Sequence, residues 1–243
     1  MSPEYNESTY GDHIAEIYDQ WHPVASPKMV AALTHLAGAG PVLELGIGTG
    51  RVALQLFAQG IEVHGIDSSV AMVEKLRVKP GGDRIPVTIG NFAEVGVDRK
   101  YSLIFVAFNT FFALGFQEEQ VQCFANVAGR LLPGGLFVIE AFVPDPTRFT
   151  RGQVVQASRI ENDEVRLEAS RHDVLTQRVV SQHVIIAEAG IKLYPIQIRY
   201  AWPAELDLMA RLAGMHLRER WSNWLGEPFT AESTNHISIY ELT

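Results

Sequence analysis

The stretch from Glu44 to Gly50 reads Glu-Leu-Gly-Ile-Gly-Thr-Gly and carries the sharpest chemical signal in the sequence. It follows a short apolar run and precedes a helical pattern, which predicts a turn between a strand and a helix. Glycines in such a turn let the backbone bend tightly and let a ligand approach main-chain N–H groups. The dinucleotide fingerprint needs a glycine where Arg51 stands, and a P-loop needs Gly-Lys-Ser/Thr, so neither pattern fits.

Two further polar signals lie at the carboxyl ends of the next two predicted strands. Asp67 ends the second strand, about 20 residues after the glycine-rich turn, where a carboxylate can accept hydrogen bonds from both hydroxyls of a ribose. Asn91 and Phe92 end the third strand and could hold an adenine by an amide contact and apolar packing. Three such signals in order indicate a cofactor that contains adenosine.

Alternating predicted strands and helices position these residues. Helices are expected over 11–21, 27–36, 51–59, 69–77, 118–131 and 203–212, and strands over 42–45, 61–66, 86–89, 101–108, 136–142, 217–221 and 236–240. The strand at 101–108 is apolar almost throughout, which is typical of a strand buried on both faces. Repeated strand–helix units predict an α/β fold with a doubly wound, Rossmann-like parallel sheet.

The pattern changes from about residue 144. Apolar and charged residues alternate near 165–169 and again near 196–200, which is typical of antiparallel strands with one exposed face. Ile191 and Leu193 have the opposite parity to Ile196 and Ile198, and Pro195 lies between the two pairs, which predicts a bulge or an edge strand. We therefore predict an inserted antiparallel β-sheet over 144–202.

Together these features resemble the class I S-adenosylmethionine (SAM)-dependent methyltransferases over nearly the whole chain, from about Tyr10 onwards. The resemblance implies that the last strand of the core sheet is antiparallel. It also implies a layout in four parts: a helical lid at 1–40, a SAM-binding core at 41–143, the insertion at 144–202, and the C-terminal part of the core at 203–243. The insertion would roof the acceptor site or form a subunit interface.

Carried over by position, the resemblance assigns parts of SAM to particular residues. The glycines would border the methionine part, which Glu44 would orient, while Asp67 would hold the ribose. The third strand end and a methionine would flank the adenine, and the end of the fourth strand would lie near the sulfonium. The residues expected to bind the cofactor are Tyr18, Glu44, Gly46, Gly48, Gly50, Arg51, Asp67, Ser68, Met72, Asn91, Phe92, Phe108 and Asn109.

The N-terminal region narrows the resemblance to a subgroup. The segment 15–19, Ala-Glu-Ile-Tyr-Asp, resembles the opening of many small-molecule methyltransferases, in which a Tyr closes over the cofactor. The inserted sheet resembles that of amino-sugar and lincosamide-type N-methyltransferases of antibiotic pathways. Some amino-sugar enzymes carry a His after the fourth strand, whereas the stretch 108–114 here contains none. A base at that place is therefore not expected.

Methyl transfer from a sulfonium is an in-line displacement, so the protein mainly aligns the acceptor and excludes water. A neutral amine can attack without a strong base, whereas a hydroxyl usually needs one, such as His. Aromatic faces near the sulfonium add cation–π attraction. The catalytic candidates are Tyr10, Tyr18 and His22. The acceptor-binding candidates are His13, Trp21, Phe111, Phe112 and Phe116.

Composition bounds the possible partners. The net charge is −8 and no cluster of Lys and Arg stands out, which argues against nucleic acid. The His residues lack metal-ligand spacing, so no metal is expected. Cys123 is the only cysteine, so no internal disulfide can form, which favours the cytoplasm. Its thiol is expected to be buried and inert. The polar, acidic start does not resemble a signal peptide, and no run is apolar enough to span a membrane.

The sequence therefore predicts a cytoplasmic SAM-dependent methyltransferase acting on a small molecule, with an amine nitrogen favoured over a hydroxyl oxygen. One alternative is an O-methyltransferase that uses a His base, and another is a SAM-binding protein without catalysis. A nucleotide-cofactor oxidoreductase is disfavoured by the glycine spacing. Nucleic-acid amino-methyltransferases typically carry two prolines after the fourth strand, and residues 109–112 lack both. A homo-oligomer formed through the insertion is a further expectation.

Overall fold

A computed structural model describes residues 5–22 and 24–242. Within these residues a seven-stranded sheet forms the core, and a four-stranded antiparallel sheet is inserted after its fifth strand. The core strands are β1 (Val42–Leu45), β2 (Val63–Asp67), β3 (Val87–Ile89), β4 (Tyr101–Val106), β5 (Leu131–Phe142), β10 (Met215–Trp221) and β11 (Asn235–Leu242). The inserted strands are β6 (Gln153–Ile160), β7 (Glu164–Asp173), β8 (Arg178–Ala187) and β9 (Gly190–Arg199). The helices are α1 (Thr9–Ile14), α2 (Tyr18–Trp21), α3 (Pro27–Ala37), α4 (Ala53–Ala58), α5 (Val70–Arg77), α6 (Gln117–Arg130) and α7 (Pro203–Leu212).

The core sheet has the strand order β10-β11-β5-β4-β1-β2-β3. Strands β1 to β5 run parallel, and β11 pairs antiparallel with both β5 and β10. Side chains alternate between two apolar layers, so that Leu43 and Ile104 pack on one face of the sheet and Val42 and Leu103 on the other. The predicted doubly wound sheet and its antiparallel last strand are confirmed.

Short polar caps begin the helices that flank the cofactor side of the sheet. Ser26 accepts the Met29 N–H at 3.2 Å and precedes a proline at the first helical position of α3. Ser69 does the same for the Met72 N–H at the start of α5. Each cap satisfies a backbone donor that the helix leaves without an internal partner. The helix starts thus follow from local sequence.

The prediction of one N-terminal helix over 11–21 was wrong. Two short helices, α1 and α2, are separated by a turn at 15–17. Asp12 of α1 bonds to the start of α5, whereas Asp19 of α2 bonds to the glycine-rich turn. Docking on two separate surfaces outweighs the helical propensity of the segment.

The strand predicted over 136–142 begins earlier, at Leu131, so that the run Pro133-Gly134-Gly135 lies inside β5. The pairing of β4 with β5 skips from Leu131 to Leu136, so the intervening residues bulge out of the ladder. Gly134 has φ 70°, which a bulge tolerates readily when the residue is glycine.

The inserted sheet turns its two faces to different surroundings. Glu168, Ser181 and His183 line a cavity beneath it. The opposite face carries a cross-strand row in which Ile160 pairs with Val165, Val165 with Ile186, and Ile186 with Ile191. Pro195 lies on edge strand β9 without a register shift against β8, so the edge-strand prediction is right and the predicted bulge is absent. Among the described residues, no helix is long and apolar enough to cross a membrane.

Candidate active site

A cavity of about 870 Å³ opens at the carboxyl edge of the parallel strands, beneath the inserted sheet. Ligands of open α/β sheets bind at this edge. The core sheet, the inserted sheet and the N-terminal segment form the walls of this cavity. The residues that line the cavity include Tyr5, Tyr10, Tyr18 and His22 from the N-terminal segment, Arg51, Phe108, Asn109, Glu140 and Phe142 from the core, and Glu168, Ser181, His183, Ile196 and Tyr200 from the insertion.

The glycine-rich turn beside this cavity requires glycine for two reasons. Gly46, Gly48 and Gly50 have φ of 71°, 53° and 79°, a region that favours glycine. A Cβ on Gly46 would lie 2.5 Å from the Cγ2 atom of Thr110, and a Cβ on Gly50 would lie 2.4 Å from the Cδ1 atom of Leu76. The turn therefore keeps its backbone close to the neighbouring loops, as a cofactor cradle must.

Two buried carboxyl groups flank this turn. Asp67 accepts the Gly48 N–H at 2.7 Å and the Ser69 N–H at 2.8 Å, one with each oxygen. Glu44 accepts the Ala53 N–H at 3.1 Å. Burial raises the pKa of both carboxyls, and these backbone hydrogen bonds oppose the rise. Since each carboxylate oxygen can accept more than one hydrogen bond, Asp67 can still bind the two hydroxyls of a ribose.

The N-terminal segment is tied directly to the same turn. The Ser69 hydroxyl donates to Asp12 at 2.6 Å, and the Thr49 hydroxyl donates to Asp19 at 2.6 Å. Lys79 also pairs with Asp19, with an N–O distance of 2.6 Å. These links hold α1 and α2 over the glycine-rich turn, where the lid was predicted.

Aromatic rings and a guanidinium form the wall between this turn and the cavity. The Arg51 guanidinium lies 4.1 Å from the ring centre of Phe108 and 5.7 Å from that of Tyr18. Burial raises the pKa of Tyr10 and of Tyr18, and the hydrogen bond from Arg51 opposes the rise at Tyr18. Both phenols therefore stay protonated at neutral pH, where they can donate hydrogen bonds but not act as bases.

Two imidazoles line the cavity. Burial lowers the pKa of His22 to about 4, with further lowering from Arg51 and His183. Burial also lowers the pKa of His183. His22 lies against Tyr18, with ring centres 4.6 Å apart. His22 is therefore neutral at pH 7, and its conjugate acid is too strong for it to be an effective general base there.

The structure places two predicted acceptor residues of the N-terminal segment away from the cavity wall. Trp21 packs edge-on against Tyr194 at 5.2 Å, and the Arg166 guanidinium covers its ring at 4.7 Å. His13 is exposed, and its Nδ1 atom lies 2.8 Å from the Thr9 carbonyl oxygen. Trp21 thus fastens the lid to the insertion, and His13 faces solvent.

The predicted aromatic loop after β4 also lies outside the cavity wall. Phe111 and Phe112 are fully buried in the core, where Phe111 packs edge-on against Phe124 at 5.5 Å. A short 3₁₀ turn over 110–113 directs both rings beneath α6 rather than into the cavity. Phe116 is 56% exposed and lies under the Arg178 guanidinium. Core packing thus accounts for Phe111 and Phe112, and Phe116 lies outside the cavity lining.

The remaining predicted cofactor residues do not line the cavity, and one of them, Met72, packs against the glycine-rich turn. The Cε atom of Met72 would lie 3.3 Å from a Cβ on Gly48. Asn91 accepts the Ala93 N–H at 2.9 Å, and Phe92 is buried at the end of β3. The Ser68 hydroxyl donates to the Glu7 carbonyl at 2.9 Å. Of the predicted cofactor set, Tyr18, Arg51, Phe108 and Asn109 line the cavity, and these four residues do not.

Several residues of the cavity wall carry no clear signal in the sequence. Glu168 pairs with Arg148 at 3.2 Å, and His183 and Glu140 lie on the same walls. Strand alternation reveals which residues share a face of a sheet but not which face points inwards, so it could not predict that Glu168 and His183 face the cavity. Glu140 did leave a signal, because it is the one charged residue in the apolar run 136–142.

Comparisons with known proteins agree with this geometry. The model of the methyltransferase domain family matches residues 42–135. The solved CcbJ methyltransferase of Streptomyces caelestis is 43% identical, with a TM-score of 0.91, over 98% of this chain and 100% of that chain. The cypemycin N-terminal methyltransferase of a Streptomyces species is 27% identical over 96% of this chain and 98% of its own length.

A fourth comparison concerns the cofactor. The structure of SAM-bound CalS10, an amino pentose methyltransferase of Micromonospora echinaspora involved in calicheamicin biosynthesis, matches with a TM-score of 0.70. Each chain is covered completely, and the identity is 19%. At that identity the likeness shows the shared fold.

Proposed function

The chain belongs to the SAM-dependent methyltransferases, and from that premise we propose that it methylates an amine nitrogen of a small-molecule secondary metabolite. The observation that carries the proposal is the cavity of about 870 Å³ beside the glycine-rich turn. A cavity of this size suits a small organic molecule. The aromatic residues and neutral imidazoles on the cavity walls would orient the acceptor rather than remove a proton from it.

The choice of nitrogen over oxygen rests on proton chemistry. A hydroxyl acceptor needs a general base whose pKa lies near the working pH, whereas the pKa of His22 is about 4. The phenols of Tyr10 and Tyr18 are held protonated by burial. An amine carries its own lone pair in the neutral form. The carboxylate of Glu168 on the cavity wall would attract its protonated form from solvent.

SAM supplies the methyl group and a neutral thioether leaving group. We propose that Asp67 binds the ribose, that Glu44 and the glycine-rich turn orient the methionine part, and that Met72, Asn91 and Phe92 border the adenine. Tyr10 and Tyr18 would close over the reacting atoms, with Arg51, Phe108 and Asn109 as the wall on the core side. His22 and His183 would accept hydrogen bonds from the N–H groups of the acceptor and so orient its lone pair.

The insertion would serve as both roof and interface. Its polar face covers the cavity, while the row Ile160, Val165, Ile186 and Ile191 lies on the opposite face. Ile160 and Ile191 are largely exposed, and an exposed apolar patch favours self-association. We infer that the protein forms a homo-oligomer through this face. Ile191→Glu should dissociate the oligomer and lower the molar mass measured by light scattering, and an unchanged mass would contradict the inference. The net charge of −8 and the buried Cys123 favour a cytoplasmic enzyme without nucleic acid as partner.

The test is product analysis with methyl-¹³C-labelled SAM. Acceptors should include an amino sugar nucleotide and a peptide with a free N-terminal amine, by analogy with the relatives. Each is paired with a blocked control, the hydroxyl sugar or the acetylated peptide. We expect ¹³C on nitrogen in at least one amine and none in the blocked partners. Label on a hydroxyl oxygen would overturn N-methylation. Binding of SAM without any labelled product would overturn the proposed acceptor class.

A further inference from the structure

Two consecutive residues after β4 have strained backbone geometry. Phe108 and Asn109 have φ of 55° and 66°, in the left-handed region. Asn adopts this region readily, but a bulky aromatic residue there is a genuine outlier. Such strain persists only where surrounding contacts hold it, and it concentrates at functional sites.

This strained turn lies between the cofactor turn and the cavity. Both of its residues line the cavity. The next residue, Thr110, packs its methyl group over Gly46, where an added Cβ would lie 2.5 Å away. The ring of Phe108 is covered by the Arg51 guanidinium at 4.1 Å. A shift of this turn would therefore move a wall shared by cofactor and acceptor.

Glu140 on β5 holds the turn through both its side chain and its backbone. Its Oε2 atom accepts the Phe108 N–H at 2.9 Å, and its carbonyl accepts the Asn109 N–H at 3.1 Å. Its Oε1 atom accepts the Trp224 indole N–H at 2.7 Å. Two donors thus face one side chain. A carboxylate satisfies both donors, whereas an amide would turn its NH₂ group against one of them.

We propose that Glu140 is a positioning residue for methyl transfer. Its carboxylate clamps the strained turn at Phe108–Asn109, and Trp224 orients that carboxylate. Loss of the clamp lets the turn relax away from the reacting atoms, and a displacement of about 1 Å can cost on the order of a hundredfold in rate. This role rests on the proposed function, because the rate measurement needs an amine acceptor. The amide-exchange measurement needs no acceptor.

The experiment compares Glu140→Gln, Trp224→Phe and the double variant. Amide hydrogen exchange at residues 108 and 109 reports the clamp without any acceptor. The values of kcat and KM are measured with the amine identified by the labelled-SAM experiment, and the melting temperature reports the fold. We expect Glu140→Gln to accelerate exchange at both amides and to lower kcat by about tenfold to a hundredfold, with KM little changed.

The double variant distinguishes a clamp from general structural damage. Trp224→Phe removes the indole donor that opposes the Gln amide, so kcat and slow amide exchange should recover relative to Glu140→Gln alone. The matched control is Glu219→Gln, because Glu219 also accepts an indole N–H, from Trp221 at 2.8 Å, but lies on the surface. This control should behave as wild type.

Three results would overturn the proposal. One is unchanged amide exchange in Glu140→Gln, and another is an unchanged kcat. The third is a loss of kcat that follows the melting temperature and is not rescued by Trp224→Phe. If wild-type protein methylates no amine, the proposed function fails, while the exchange measurement still decides the clamp.

Discussion

Asp67 is the residue on which cofactor binding should depend most. Its two oxygens already accept backbone N–H groups of Gly48 and Ser69, so the carboxylate is rigidly aimed at the space beside the glycine-rich turn. Hydrogen bonds to a charged group contribute roughly 1.5–3 kcal/mol. Asp67→Asn should therefore weaken SAM binding by about tenfold or more. Calorimetry would measure this, with exposed Asp163→Asn as control; an equal dissociation constant in both variants would place the ribose elsewhere.

At this scale the sequence predicted the cofactor side better than the acceptor side. Glycine spacing and a carboxylate after a strand are local patterns, and the structure gathers Gly48, Asp67 and Met72 around one turn. Acceptor residues depend on which way a side chain points in the finished fold. For this reason Phe111, predicted to bind the acceptor, is buried in the core, and His183, which was not predicted, lines the cavity.

At the scale of elements, strand β9 offers a test of the roof. Ile196 lines the cavity, whereas Ile191 on the same strand is largely exposed. Ile196→Trp should fill acceptor space and raise KM for the amine, leaving SAM affinity unchanged, because the cofactor turn lies on the other side. Ile191→Trp is the matched control and should leave both constants unchanged. Equal effects of the two substitutions on KM would show that the roof does not contact the acceptor.

Element boundaries followed from local chemistry wherever local chemistry dominated. Ser69 caps α5, and the apolar runs became β1 and β4. The N-terminal helix divided because Asp12 and Asp19 bond to different surfaces, and no short-range pattern encodes that division. The insertion was predicted as antiparallel, but only its docking on the core shows which of its two faces lines the cavity.

At the scale of the whole molecule, a buried histidine should shape stability against pH. His236 is fully buried, and burial lowers its pKa to about 4, against about 6.5 when unfolded. Between these values the unfolded chain binds a proton that the folded chain does not, so stability falls as pH falls from about 6.5 to 4. The loss from this group is at most about 3 kcal/mol.

The measurement is urea unfolding from pH 7 to pH 4 for wild type and His236→Gln. The variant should show a smaller loss of stability over this window. Burial raises the pKa of Glu44 and acts in the opposite direction, but it is common to both proteins and cancels in the difference. Exposed His13→Gln serves as control. Parallel stability curves for wild type and His236→Gln would contradict the assignment.

Methyl transfer to an amine without an obligatory protein base fixes how the rate should depend on pH. Rates at saturating SAM should be measured for wild type, His22→Ala and His183→Ala, with two amine acceptors of different pKa. We predict an ascending limb that moves with the acceptor's own pKa and persists in both variants. An obligatory base would typically cost 10²–10⁴-fold when removed. Loss of nearly all activity in His22→Ala, together with disappearance of the ascending limb, would rule out base-free transfer to nitrogen and favour base-assisted transfer to oxygen.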